Sequence, residues 1–219
     1  MPTRRALPST LPHQIDAQLE EAIIEGRLLP GQRLIAEDLA EEFGVSRIPI
    51  REAMRALDSA GWVDIRARHG VYVRDWNRQD LDDLFEVRSA LEGQAARLAA
   101  DRRDPGQLKR LHDNVDRYER AVARTPGRVP ELNRQFHMLV ADCAANRTLR
   151  ELLDQLEKRV KWYYSIVTVV RSPESVVEHR ELLSAIEAGR GAQAAKVMAR
   201  HVEGTRAAIA AALVALRPT

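Results

Sequence analysis

Cysteine is nearly missing from the 219-residue chain. Cys143 is the single one, which excludes an internal disulfide framework and any zinc finger built on paired thiolates. It fits a reducing cytoplasm. Aromatic residues make up only 5%, and runs of Val, Ile, Tyr and Phe, which strands favour, are short, so the composition leans towards helix. No apolar run approaches the roughly 20 residues a membrane span needs; the longest candidate, Ala207 to Leu216, is too short and Ala-rich. No apolar core follows Arg4 and Arg5, as a secretory signal would require. An excess of one charge is also absent: 34 Lys and Arg stand against 32 Asp and Glu, a net charge of +2. What remains is 45% hydrophobic and 30% charged, rich in Ala, Leu and Arg. That is the composition of a folded, mainly α protein long enough for two domains.

Residues 1–75 form a first segment. Leu11, Ile15, Leu19, Ala22 and Ile23 recur at helical spacing, predicting a helix over Pro12 to Glu25. Gly26 and Pro30-Gly31 turn the chain. A short helix follows over Ala36 to Phe43. Ser46 offers a capping hydroxyl to a third, Arg47 to Ala60, with Pro49 in its first turn. Trp62 to Ile65 and Val71 to Val73 read as the strands of a hairpin around a polar loop, Arg66 to Gly70. Three helices and a hairpin make a winged helix-turn-helix. The segment holds 10 Lys/Arg and 12 Asp/Glu, a net of −2, but the signs are segregated. Asp16 to Glu42 holds 8 acidic and 2 basic residues; Gly44 to Arg74 holds 6 basic and 3 acidic. Arg47, Arg51 and Arg55 fall at i, i+4, i+8, drifting only about 40° per step, so they form one stripe. Arginine's flat fork pairs with guanine O6 and N7 or with phosphate. The plainer reading is a solvated face partnered by Glu52 and Asp58.

The run Leu39-Ala-Glu-Glu-Phe-Gly-Val-Ser-Arg-Ile-Pro-Ile-Arg-Glu-Ala-Met-Arg-Ala-Leu57 resembles the DNA-binding domain of the GntR family of bacterial transcription regulators. So do Gly26-Arg27, Pro30 to Leu34, Gly61-Trp62-Val63 and His69-Gly70. The resemblance implies that Ser46, Arg47, Pro49, Arg51 and Arg55 face the major groove. It puts Arg68, His69 and Gly70 at the wing. Ala36 and Glu37 depart from the family's usual residues.

After a short linker, 76–79, residues 80–219 show only helical periodicity and predict an all-α bundle of about six helices. Asp104-Pro105 opens one helix, running to about Arg124. Val129 to Ala145 is the next. Asn146 and Thr148 cap another, to about Arg171. Ser172-Pro173 opens a fifth, and Ala192 to Leu216 is the last. The chemical signal here is histidine. Asn133 and His137 share one helix face at i, i+4, while His179 and His201 lie on two further helices. Three converging imidazoles make a divalent-metal site with open positions; taken singly, each is a plain core residue, as His13 and His112 are read. Arg88 is a cation on an otherwise apolar face between Phe85 and Leu91. It either pairs with Glu92 or forms a fork for an effector carboxylate, joined by Arg134, Arg159 and Tyr163.

Glu86 to Glu92, Asn133 to His137, Asn146 to Leu149, His179 to Ile186 and Met198 to His201 resemble the FCD-type ligand domain of the FadR-like branch of the same family. The resemblance implies a homodimeric, ligand-responsive repressor on a pseudo-palindromic operator, with a small carboxylate effector. It also implies a metal on Asn133, His137, His179 and His201, where the family places an aspartate first. Imidazoles suit zinc first and nickel second. Three neutral imidazoles leave the cation its full charge, which attracts an anion. The competing reading is a metal-dependent enzyme acting on a small anion. It lacks a His-Glu-x-x-His motif, and Glu178 and Glu181 fall on different faces from His179. A bulk DNA-coating protein is opposed by the net −2 of residues 1–75.

Overall fold

The computed structural model describes residues 11–167 and 171–216. The boundary between two compact units falls between Trp76 and Asn77. No helix among the described residues is long and apolar enough to cross a membrane.

The first unit runs α1 (Leu11–Ile24), β1 (Arg33–Leu34), α2 (Ala36–Phe43), α3 (Arg47–Ser59), β2 (Val63–Arg66) and β3 (Gly70–Val73). Its core is the apolar stripe of α1 (Ile15, Leu19 and Ile23) set against Ile50, Ala53, Met54 and Leu57 of α3, all buried. Gly44 ends α2 at φ +63, a left-handed conformation that favours glycine, and sends the chain into α3. Ser46 stands at the start of α3 in an extended conformation but makes no capping bond. A capping oxygen accepts from the N–H two or three residues on; the third residue here is Pro49, which has none. The wing is a three-stranded antiparallel sheet, order β1-β3-β2. Val63 pairs with Val73 and Arg66 with Gly70, while Arg33 pairs with Tyr72 on the other edge.

The second unit is all helix: α4 (Arg78–Arg102), α5 (Pro105–Arg124), a 3₁₀ turn (Pro126–Arg128), α6 (Val129–Cys143), α7 (Arg147–Ile166), α8 (Ser172–Glu187) and α9 (Gly191–Leu216). The expected linker is shorter than 76–79, because Asn77 already caps α4, its Oδ1 accepting the Asp80 N–H at 2.8 Å. Asp104 and Asn146 cap α5 and α7 in the same way. The α7 helix stops at Ile166, with Val167 extended, rather than running to about Arg171; positions 168–170 of that expectation lie outside the described residues. Ile166 and Val167 are β-branched and lose side-chain freedom in a helix. The bundle is organised around α4, which packs on α6, α7, α8 and, along most of its length, α9. Ala95, Ala96, Ala99 and Ala100 are buried on α4, and small side chains let helix axes approach. Between these helices lie buried polar groups: Arg88, Glu92, Glu157, His137, Glu178, His179 and His201.

Candidate nucleic-acid interface and imidazole centre

The α3 helix presents its arginine stripe to solvent: Arg47, Arg51 and Arg55 are exposed, opposite the buried Ala53, Met54 and Leu57. Neither Glu52 nor Asp58 partners it. Asp58 accepts the Ile65 N–H at 3.1 Å and so ties α3 to the hairpin. Arg47 instead meets a carboxylate from another helix, its Nη1 donating to Glu37 Oε1 at 2.9 Å. Ser46 is exposed and Pro49 half-buried at the same helix end. At the wing tip the His69 N–H donates to the Arg66 carbonyl at 3.0 Å, closing a turn that carries Arg68 at φ +66. The Tyr72 hydroxyl donates to the His69 carbonyl at 3.0 Å, and the Arg66 guanidinium lies 4.6 Å from the Tyr72 ring centre. Gly70 has φ +115, and a Cβ there would come within 3.0 Å of Arg33 Nε. Arg33 thus joins the wing tip through β1, a strand of two residues that is too short for alternation to reveal.

In the second unit the three histidines converge. His137, His179 and His201 each offer a ring nitrogen, all within 4.8 Å of one another and all buried. The α6, α8 and α9 helices supply one each. His137 Nδ1–H donates to Glu92 on α4; His201 Nδ1–H donates to Glu178 Oε2 on α8 at 2.8 Å. A carboxylate only accepts, so it fixes the proton on Nδ1 and leaves Nε2 a bare lone pair. The two Nε2 atoms face each other at 3.2 Å. Two lone pairs at that distance repel unless a cation or a proton lies between them. His179 stacks on Phe136 at 3.7 Å and tilts against Tyr118 at 4.6 Å, and neither of its nitrogens has a hydrogen-bond partner among the described residues. Such orphaned buried nitrogens cost free energy. The donor set therefore fits a divalent transition metal.

Electrostatics follow from burial. Burial pushes His201 down to about 4, against the pull of Glu178. Burial, with His201, His137 and Arg171 adding, holds His179 well below the ordinary imidazole range. Glu92 would be raised by burial, but Arg88 and His137 outweigh it and hold it at about 2. The site is not the neutral three-histidine cluster expected, since Glu92 and Glu178 back two of the imidazoles. Glu178 faces α9 because adjacent helix residues point about 100° apart; that offset, which sets it off from His179, aims it at His201. Arg171 holds it from the other side, Nη2 to Glu178 Oε1 at 2.8 Å, and also reaches the His201 carbonyl at 3.2 Å. The guanidinium lies over Gly204, where a Cβ would come within 2.5 Å of its carbon.

A cleft of about 220 Å³, which none of the three histidines lines, is formed by Gly127, Pro130, Glu131, Asn133, Arg134, Glu157, Val160, Lys161 and Tyr164. Asn133 thus faces the cleft one turn from His137. Arg134 lines it with its guanidinium forked onto Glu131, both contacts at 3.0 Å. Arg88 does not line it. It is 1% exposed, with Nε 2.6 Å from Glu92 and Nη2 2.8 Å from Glu157: the ion pair, with a second carboxylate that spacing did not reveal. Tyr163 is buried against Trp162, and neither it nor Arg159 lines the cleft. Glu157, Val160, Lys161 and Tyr164 share one face of α7 at i, i+3, i+4, i+7; Arg159 and Tyr163 share the next face round.

Comparison with known proteins matches this two-part build. Residues 83–204 match the FCD domain, and residues 11–73 match the bacterial regulatory proteins of the gntR family. The chain belongs to the GntR family and carries an FCD domain. The HTH-type transcriptional regulator LutR of Bacillus subtilis (strain 168) is 31% identical over 206 residues, spanning 82% of this chain and 92% of that protein. The uncharacterized HTH-type transcriptional regulator YdhC of the same strain is 35% identical over 141 residues, 64% of this chain but only 63% of YdhC, less than two thirds of its length. The structure of E. coli McbR/YncC superposes with a TM-score of 0.72 at 24% identity, covering 93% of this chain and 99% of that one, a likeness of fold. The chain is a transcription regulator, and the reading as a metal-dependent enzyme falls with that assignment.

Proposed function

We propose that this regulator is a homodimeric repressor. It reads a pseudo-palindromic operator with α3 and the wing, and is controlled by a small organic carboxylate bound beside a metal ion. His137, His179 and His201 hold the metal, zinc first and nickel second, with Asn133 as a weak, uncharged fourth ligand facing the cleft. The observation that carries the reading is the pair of Nε2 lone pairs held 3.2 Å apart by carboxylates on the far side of each ring. A bound divalent cation supplies positive charge for an effector anion. The protein's own part is to fix both tautomers through Glu92 and Glu178, exclude water around His179, and present Asn133, Arg134, Lys161 and Tyr164 to the ligand. A two-fold dimer supports operator reading, since one helix and one wing contact few base pairs.

Elemental analysis of protein purified without a histidine tag, alongside melting scans with zinc, nickel and a panel of carboxylates, tests this. About one metal per chain is expected, with a carboxylate shift that a chelator removes. No bound metal and no shift with zinc or nickel would overturn the metal centre and leave an organic-ligand pocket. A reporter assay reads the direction of control: derepression by the same carboxylate is expected, and activation would overturn the repressor assignment.

A further inference from the structure

The arginine stripe of α3 is not uniform. Arg51 and Arg55 are exposed, with no ion pair within 4.0 Å among the described residues, although Arg51 lies within the electrostatic reach of Glu37. Arg47, at the first position of the helix and nearest the bases in a helix-turn-helix, has its guanidinium on Glu37 at 2.9 Å. Glu37 comes from the first turn of α2, where the positive end of that helix favours a carboxylate. It serves no other described side chain by hydrogen bond. The contact is largely exposed, so it adds little to stability. A carboxylate offers arginine the same pair of acceptor oxygens as a phosphate does. It therefore competes with the DNA backbone for Arg47, and it repels any phosphate brought close to it. The guanidinium has five donors, and one contact on Glu37 leaves others for guanine O6 and N7.

We propose that Glu37 is a specificity-determining residue: it withholds Arg47 from the phosphate backbone and orients it for a base edge. Arg55, without such a partner, remains available to phosphate. The inference rests on α3 being the DNA-reading helix. It makes the acidic first turn of α2 a filter against non-specific binding, which suits a unit whose net charge is −2.

The test compares wild type, Glu37→Gln, Arg47→Ala, the double variant and Arg51→Ala by fluorescence anisotropy over a salt series. One probe is a duplex selected by the wild-type protein from a random library; the other is an unrelated duplex of equal length. Glu37→Gln should bind the unrelated duplex several-fold tighter at low salt, with a log–log salt slope steeper by about 0.9 for each protomer bound, one added phosphate contact apiece. The ratio of selected to unrelated affinity should fall about tenfold. Removing Arg47 in the same chain should abolish the gain. An unchanged ratio and slope in Glu37→Gln, with wild-type melting, would overturn the role of Glu37. If Arg51→Ala also kept wild-type affinity for the selected duplex, the α3 reading itself would fall, a separate failure.

Discussion

Replacing Arg88 separates two roles that the sequence leaves open. The guanidinium is 1% exposed and serves two carboxylates, Glu92 at 2.6 Å and Glu157 at 2.8 Å, themselves 2% and 7% exposed. Methionine matches the stem in volume, so Arg88→Met opens no large cavity but strands both carboxylates. Breaking one partner of a buried pair costs about 3–5 kcal/mol. For a chain of this size that is a fall in Tm of about 6–20 °C. The pH dependence carries the signature. In the wild type Glu92 is held at about 2, below its unfolded value, so its contribution is present above about pH 4.3 and lost only as pH falls towards 2. In Arg88→Met a buried carboxylate without its cation has a raised pKa. Its neutral form is tolerated, so the variant approaches wild type near pH 5 and falls behind as pH rises. Arg88→Met/Glu157→Gln should recover part of the loss, because one stranded charge is gone. Calorimetry and urea titration at pH 5 and pH 8 measure all of this. A single variant within about 1 kcal/mol of wild type at pH 8, but deaf to the carboxylate effector, would refute the reasoning and make Arg88 an effector fork.

Arg51→Ala should cost about 1–3 kcal/mol on the selected duplex and relax one base position, measured by anisotropy against single-base variants; uniform weakening would mark a phosphate contact instead. Metal-free protein should lose stability as pH falls from about 6.5 to 4, since His201 is held at about 4 in the fold and the unfolded chain binds more protons across that window; a Tm flat over that range contradicts a neutral buried His201. Glu178→Gln should weaken metal binding about 10–100-fold in a chelator competition, because Gln no longer fixes the His201 tautomer, and Gly204→Ala, which displaces the Arg171 guanidinium, should weaken it in the same direction. Asn133→Asp should tighten the metal by adding a charged ligand, and an unchanged competition curve would remove position 133 from the coordination sphere.

Local signals were legible and tertiary ones were not. The bounds of α2, the α5 start at Asp104-Pro105 and the Asn146 cap can be read because each depends on neighbours within four residues. The convergence of His137, His179 and His201 was reachable from helix faces and resemblance together. Their carboxylate partners were not: Glu92 lies 45 positions from His137 and Glu178 lies 23 from His201, and no spacing rule links residues on crossing helices. Glu157 hid for the same reason. Ser46 shows the reverse failure, a local rule that was right about position and wrong about the bond, because Pro49 removes the donor it would need. On α7, Tyr164 rather than Tyr163 lines the cleft, because a step of one residue turns a helix face by about 100°.

The buried charges explain how an asparagine at position 133 is compatible with a metal. Around the imidazoles lie three carboxylates, Glu92, Glu157 and Glu178, and two guanidinium groups, Arg88 and Arg171. Arg171 balances Glu178, and Arg88 is shared between Glu92 and Glu157. Arg200, on the exposed side, reaches Glu178 as well at 3.9 Å, so carboxylates and guanidinium groups balance in number. Glu92 and Glu178 sit behind the histidines, where their charge lowers the cost of holding a cation among neutral imidazoles without occupying a coordination position. An aspartate at 133 would place its charge on the cleft side instead and repel an incoming carboxylate. With Asn133, no further carboxylate joins a cleft lining in which Glu131 and Glu157 already stand against Arg134 and Lys161. On the proposed metal reading, asparagine at 133 trades metal affinity for anion affinity, and Glu92 and Glu178 behind the rings offset part of what is lost.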